Sequence, residues 1–276
     1  MQNFKTLTKT LLTATAITVI SATASILPTV ADFTGQEAFA QTSTMASEER
    51  AAEALAARIA RPRIGSMPGM NERAFKTLTK VQEFMELEPP QYGEAMLLLK
   101  KQNLERLNST ELTSFYQLMA AVAQNQDNID EALGYYKNIL AMESISYAQR
   151  DQMTFIVGQI EFSNGNNELA ISYFEDWLKY QPTPSITNIV VLANVYYASA
   201  LDLEDIPVAA EKYFRNSIEF LNWAIIKAKA DGKEDKENWY AVLRAIHNNL
   251  EEIDKVVFYG ELLATRWPKK EYWTQL

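Results

Sequence analysis

The chain has 276 residues, with 26 Lys and Arg against 35 Asp and Glu, so its formal charge is −9. That balance argues against a nucleic-acid partner, which needs a basic face, and mildly favours cationic ones. There is no cysteine, hence no disulfide and no thiolate chemistry, and one histidine, His247, which leaves no His-rich metal cluster.

At the N-terminus, Lys5 and Lys9 precede an uncharged run from Thr10 to Ala31 centred on LLTATAITVI. A positive start, a short apolar stretch and small residues predict a secretory signal over 1–40. Ala38-Phe39-Ala40 before Gln41 fits an A-x-A cleavage site, and Ala22-Thr23-Ala24 is a second candidate. An uncleaved membrane anchor is the competing reading. The Thr and Ser content and Pro28 weigh against it. Without cysteine there is no lipoprotein-type attachment. Cleavage after Ala40 removes Lys5, Lys9, Asp32 and Glu37, two charges of each sign, and leaves the mature charge at −9. The expected location is a bacterial periplasm, with no stable membrane span after cleavage.

Residues 41–70 are expected to be a linker carrying a short charged helix, SEERAAEALAARIARPR, broken by Gly65, Ser66, Pro68 and Gly69. From Asn71 onward, apolar residues recur three and four apart, as in AFKTLTKVQEFM and ELTSFYQLMAAVA. Breaks fall at Pro89-Pro90, Asn108-Ser109, Gln126 to Asn128, Asn164 to Asn167, Pro182 to Pro184 and Asp231 to Lys233. No stretch alternates with period two. The pattern predicts an all-α array.

A ruler runs along it. Ala120 is followed twelve residues later by Ala132, and four later still by Tyr136. Gly158, Ala170 and Phe174 repeat that spacing 38 residues on, and Pro182 follows Ala170 by twelve. Val256 precedes Pro268 by the same interval. A unit of 34 to 40 residues with this spacing marks helix–turn–helix repeats of the tetratricopeptide type, a right-handed α-solenoid. Antiparallel helices approach closely only where small side chains sit at the crossing. Phe174 and Tyr136 then fill the groove, and Pro182 and Pro268, lacking an N–H, end the second helices.

The units are a divergent pair over about 71–106, then 109–142, 148–181, 185–230 and 236–267, within a solenoid spanning 71–276. In the third full unit Ala193 sits at the crossing. Roughly ten extra residues are placed around LDLEDIPVAAEK, with the second helix restarting near Pro207 and running far, through EKYFRNSIEFLNWAIIKAKA, so that a protruding helix extension is expected to carry the extra length. KKEYWTQL begins another first helix, so the chain is either a truncated piece of a longer array or capped by that helix.

No phosphate loop, Ser-centred elbow or metal-spaced His pair is present. His247 reads as a packed or groove-lining residue. Ser109-Thr110-Glu111 and Asn128 to Glu131 read as helix caps, and EDKE (234–237) with Glu251-Glu252 as helix-start and turn charges. No catalytic residue, cofactor, metal or small-molecule substrate is expected. One face of the first helices carries Gln117, Gln124, Gln152, Gln159, Phe162, Asn194, Tyr197, Asn238, Asn248 and Asn249. Amides both donate to and accept from a peptide backbone, and aromatics give flat apolar contact. This face predicts a concave groove for a partner polypeptide, set against the plain alternative of a solvated helix face.

GKEDKENWYAVLRAI (232–246) and TRWPKKEYWTQL (265–276), supported by 107–140 and 168–184, resemble a particular family. These are the periplasmic tetratricopeptide-repeat proteins associated with TonB energy-transduction systems of Gram-negative bacteria. The likeness covers about 71–276. The expansion near 200–212 is longer than that family's turn, and the chain stops where the family continues. The resemblance implies an accessory scaffold for TonB or its ExbB- and ExbD-like motor partners, and brings no catalytic or binding residues with it. The alternatives are a scaffold for another envelope assembly process, or an exported enzyme whose catalytic domain lies beyond Leu276.

Overall fold

A computed structural model describes residues 34–62, 64–203 and 206–273, and residues from Glu37 onward form one compact unit. The signal segment up to residue 33 lies outside the described residues. Among these there are twelve α-helices and no strand. They are α1 (Thr34–Ala60), α2 (Glu72–Glu86), α3 (Tyr92–Lys100), α4 (Ser109–Asn125), α5 (Ile129–Leu140), α6 (Tyr147–Ser163) and α7 (Asn167–Leu178). Then come α8 (Ile186–Leu201), α9 (Pro207–Ala230), α10 (Glu237–Asn249), α11 (Ile253–Arg266) and the single turn α12 (Lys270–Trp273). Consecutive helices pair as α2/α3, α4/α5, α6/α7, α8/α9 and α10/α11. The fold is an all-α solenoid of tetratricopeptide-like repeats.

The starts and turns follow a rule that the sequence dictates locally. Four of the first helices begin with a side-chain cap: Asn71 before α2, Asn108 before α4, Ser146 before α6 and Ser185 before α8 each accept a backbone N–H. Asn108 with Glu111, and Ser146 with Gln149, complete capping boxes. The cap of α4 is therefore Asn108 rather than Ser109. Second helices α5, α7 and α11 have no side-chain cap. They leave a turn whose middle residue is left-handed: Asp127 (φ 58°), Gly165 (φ 80°) and Glu251 (φ 57°). In each, the next N–H reaches back along the chain: Asn128 to Ala123, Asn166 to Glu161 and Glu252 to His247, all at 2.9 Å. This is the Schellman closure, which satisfies carbonyls at a helix end.

The crossings are tight. Ala120, Ala132, Ala170 and Ala193 are fully buried, with Tyr136 and Phe174 beside them. A Cβ built on Gly158 would meet Phe174 Cε1 at 2.9 Å, so α6 approaches the α7 ring as closely as a side-chain hydrogen permits. At Ala193 the approach is close enough for Ser217 Oγ on α9 to donate to the Ala193 carbonyl at 2.8 Å, fully buried. Pro182 lies four residues beyond the end of α7, and Pro268 two beyond α11, so both stop the chain from continuing as helix. In the last pair the small buried residues on α11 are Gly260 and Ala264, and Val256 is only half-buried.

The second helix of the third pair restarts at Pro207 and runs long, as the sequence suggested, but the added length lies at its far end rather than around residues 200–212. Ala210 and Phe214 repeat the spacing of Ala170 and Phe174, both buried, with the α8–α9 connection only modestly longer than its counterparts. Most of the extra length is α9 itself, 24 residues against 12 for α7. Its apolar positions continue through Leu221, Ala224 and Ala228, so burial carries the helix well past the usual stop.

The core forms two clusters. One runs from Ala74 to Ile160 and the other from Ala170 to Leu263. Their seam passes through the α6/α7 hairpin, where Gly158 meets Phe174. Equivalent polar residues also join successive pairs: Asn164 Nδ2 to Asp130 at 3.5 Å, Asn167 to Asp202, and Tyr196 OH to Glu175 at 2.7 Å.

Candidate protein-binding surface

The amide face predicted from sequence divides into three groups. Gln152, Asn194, Asn238, Asn248 and Asn249 are exposed on successive first helices α6, α8 and α10. Gln117 and Gln159 are half-buried on α4 and α6. The remaining three have internal work. Gln124 accepts from Tyr136 OH at 3.0 Å. Phe162 packs against the C-terminal core cluster. Tyr197 does the same and tilts against Phe214 at 6.1 Å. Burial pushes the Tyr136 phenol up to about 12, so it stays a neutral donor. The exposed part of the face is thus a row of amides, groups able both to donate to and to accept from a peptide main chain, with Asn249 Nδ2 already bonded to the Ala245 carbonyl at 2.8 Å.

His247 is 4% exposed and stacks on Tyr259 at 5.4 Å. Burial pushes its imidazole below the usual range, against the pull of Glu252. The neutral ring donates from Nδ1 to Glu252 Oε2 at 2.5 Å, and Glu252 Oε1 takes Arg215 Nη1 at 2.7 Å. Burial alone would raise the Glu252 carboxyl, but His247 and Arg215 hold it below its ordinary value. The trio ties α9 to the α10–α11 turn and floors an open cleft of about 650 Å³ lined by Arg215, Glu219, Asn222, His247, Glu252 and Lys255. Both carboxylate oxygens are spent on structural partners, so the histidine has no poised base beside it. Among the described residues no three His, Cys, Asp or Glu side chains converge as a metal site.

The acidic run 234–237 is likewise engaged. Asp235 takes both Arg266 amines, at 2.5 and 2.8 Å, and accepts from Tyr240 OH. Arg266 in turn lies over Trp267 at 4.6 Å. Glu237 pairs with Lys269 at 2.7 Å and accepts from Tyr272 OH, which folds α12 back onto the start of α10.

Sequence reasoning missed one feature. The helix read within 47–63 is part of a 27-residue α1, and α1 with the following strap is held to the solenoid. Arg50 reaches Glu219 at 2.6 Å and lies over Phe220 at 5.5 Å. Arg61 makes a two-pronged pair with Asp151, at 2.5 and 3.0 Å, and sits between Tyr147 and Tyr180, at 4.5 and 3.6 Å. Tyr147 OH donates to Pro62 O, and Gln181 Nε2 steadies Asp151 at 3.2 Å. Thr110 Oγ1 and Asn108 Nδ2 then donate to the Pro68 and Gly69 carbonyls. The strap so runs back along the starts of α6 and α4. The one available signal was Tyr147 and Asp151, four apart and therefore on one face at a helix start.

No family model matches the chain, and no curated protein is found as a relative. Crystal structures of nearly identical TPR-like repeats from a kinesin light chain of Podosopora anserina do resemble it. A point variant aligns with TM-score 0.51 at 13% identity, covering 71% of this chain and 96% of that one. A second structure of the same repeats gives 0.50 at 14%, covering 70% and 94%. At such identity the likeness shows the fold alone. Among the described residues no helix is long and apolar enough to cross a membrane.

Proposed function

We propose that this chain is a non-enzymatic, exported protein-binding scaffold that serves a TonB-type outer-membrane uptake system in the periplasm. The observation that carries the binding role is the row of exposed amides, Gln152, Asn194, Asn238 and Asn248, presented by successive first helices of a solenoid. The likeness of 232–246 and 265–276 to TonB-associated repeat proteins supports the choice of system, and the predicted signal over 1–40 supports the compartment.

The test is direct titration of the purified chain with the periplasmic parts of TonB-, ExbB- and ExbD-like proteins. At least one should bind saturably. The double change Gln159→Glu with Asn194→Asp should weaken that binding about tenfold, since two like charges would then face a surface selected by a neutral face. Circular dichroism should remain unchanged. Binding to none of the three would discard the TonB assignment and leave a scaffold for another envelope process. Unchanged affinity in the double variant would discard the amide face.

A further inference from the structure

The edge of the solenoid built from the starts of first helices and the ends of second helices has its own chemistry. In the last pair, Asp235 ahead of α10 and the ring of Trp267 just after α11 hold the guanidinium of Arg266. That arginine comes from the same helical pair. In the α6/α7 pair the place at the end of the second helix belongs to Tyr180, an aromatic, and the pair's own arginine, Arg150, instead donates to the Leu140 and Met142 carbonyls at 3.0 and 2.7 Å. Asp151 and the two rings of Tyr147 and Tyr180 nevertheless hold a guanidinium, that of Arg61 from the N-terminal strap. The fork geometry of guanidinium on carboxylate, closed by rings above and below, discriminates arginine from lysine. The Arg61 side chain is 9% exposed there.

The segment that delivers Arg61 is held through polar contacts more than through apolar burial. Among the described side chains of α1 only Ala54 enters the core, while Leu55 and Ile59 are 50% and 75% exposed. Between Arg50 and Arg61 the chain spans about 16 Å at 1.5 Å per residue, and these two arginines anchor that stretch to Glu219 and Asp151. Among the described side chains of this stretch, little apolar area is lost if it lifts away.

We propose that the cleft formed by Tyr147, Asp151 and Tyr180 is an arginine-recognition site, filled in cis by Arg61, which an arginine-bearing segment of a cationic partner polypeptide occupies by exchange. The chain's charge of −9 favours such a partner's approach. Gln152 of the amide row directly follows Asp151 on α6, and the proposal rests on the scaffold reading only in that both require an accessible solenoid.

A fluorescein-labelled peptide of sequence RIARPRIGS, identical to residues 58–66, is the probe, titrated against the full chain and its variants. The Arg61→Ala chain, whose cleft is vacated, should bind the peptide at least about tenfold more tightly than the unaltered chain, because the tethered arginine competes at an effective concentration near the millimolar range. Arg61→Lys should fall between the two. Asp151→Asn or Tyr180→Leu, each added to Arg61→Ala, should abolish the gain while helical content and melting stay within those of Arg61→Ala. A peptide with all three arginines changed to lysine, which keeps its charge, should bind none of the chains by this route. Equal affinity for the unaltered and Arg61→Ala chains would overturn the proposal. So would a gain that survives both Asp151→Asn and Tyr180→Leu. Loss of this site with TonB-type binding intact would leave the proposed function standing, and the converse would leave the arginine cleft standing.

Discussion

Replacing Gly158 by valine should destabilise the protein by about 3 kcal/mol and lower its melting temperature by about 6 to 12 °C in a thermal melt. The reason lies in what surrounds the missing Cβ. Three atoms of the Phe174 ring, Cε1, Cδ1 and Cζ, lie at 2.9, 3.1 and 3.1 Å from where it would stand. The ring has nowhere to move. It is 1% exposed and packs edge-on against Phe155 at 5.2 Å, while Phe155 also lies against Trp177 at 4.6 Å. The contact also sits at the seam of the two core clusters, so strain there is felt in both halves of the array. Alanine is the gentler case. Its better helix propensity, worth about 1 kcal/mol, offsets part of the overpacking, so Gly158→Ala should cost far less than valine. Adding Phe174→Leu to Gly158→Val should recover part of the loss, as contacting residues do not add independently. A Gly158→Val chain that melts with the parent would mean the helices do not nest at this point.

Removing the charge of Lys137 should cost about 2 kcal/mol, and the loss should depend on pH in a defined direction. Glu161 on α6 is 1% exposed, pairs with Lys137 Nζ on α5 at 2.6 Å and accepts from Asn166 Nδ2 at 2.8 Å. Burial works to raise its carboxyl, but the lysine and Asn166 hold it below its ordinary value. The lysine head is half in solvent, so the pair is partly screened, and the figure lies below that for a fully buried pair. In Lys137→Met burial outweighs the one remaining donor, Asn166, and the folded carboxyl shifts above its unfolded value of 4.5. The folded state then binds more protons than the unfolded one, and stability is lost as pH rises through 4.5. Denaturant melts should show a larger deficit at pH 7 than at pH 4. Glu161→Gln added to Lys137→Met should recover most of it. A deficit that grows on acidification would contradict this account.

Much of the fold was written in spacing. Ala120, Ala132, Gly158 and Ala170 are legible because a small residue at a helix crossing has few other reasons to recur at a fixed interval, whereas Ala193 falls off that interval. The third pair was harder. The run from Leu201 to Lys212 admits more than one alignment, and only burial through Leu221, Ala224 and Ala228 places the added length at the far end of α9 rather than around that run. The cap of α4 was displaced by one residue because Asn108 and Ser109 both suit the position, and the choice falls to Asn108 through its box with Glu111, whose side chain also accepts from Asn71 across 40 residues. The amide face was visible as composition, but composition does not tell an exposed Asn194 from a Gln124 already bonded to Tyr136. Arg61 was not legible at all. It is 90 residues from Asp151, and nothing local marks an arginine that will be held between two distant tyrosines.

The central claim is that helical hairpins stack in chain order, each against the next. The absence of cysteine allows a clean measurement. Asn167, at the start of α7, donates to Asp202, at the end of α8 in the following pair. With both changed to cysteine, a short bis-maleimide should join them within one chain in high yield under native conditions, read as an intramolecular mass adduct and a peptide pair after digestion. Unfolding in denaturant before the reagent is added should abolish the adduct. A native yield no higher than the denatured one would contradict the stacking from which the binding surfaces follow.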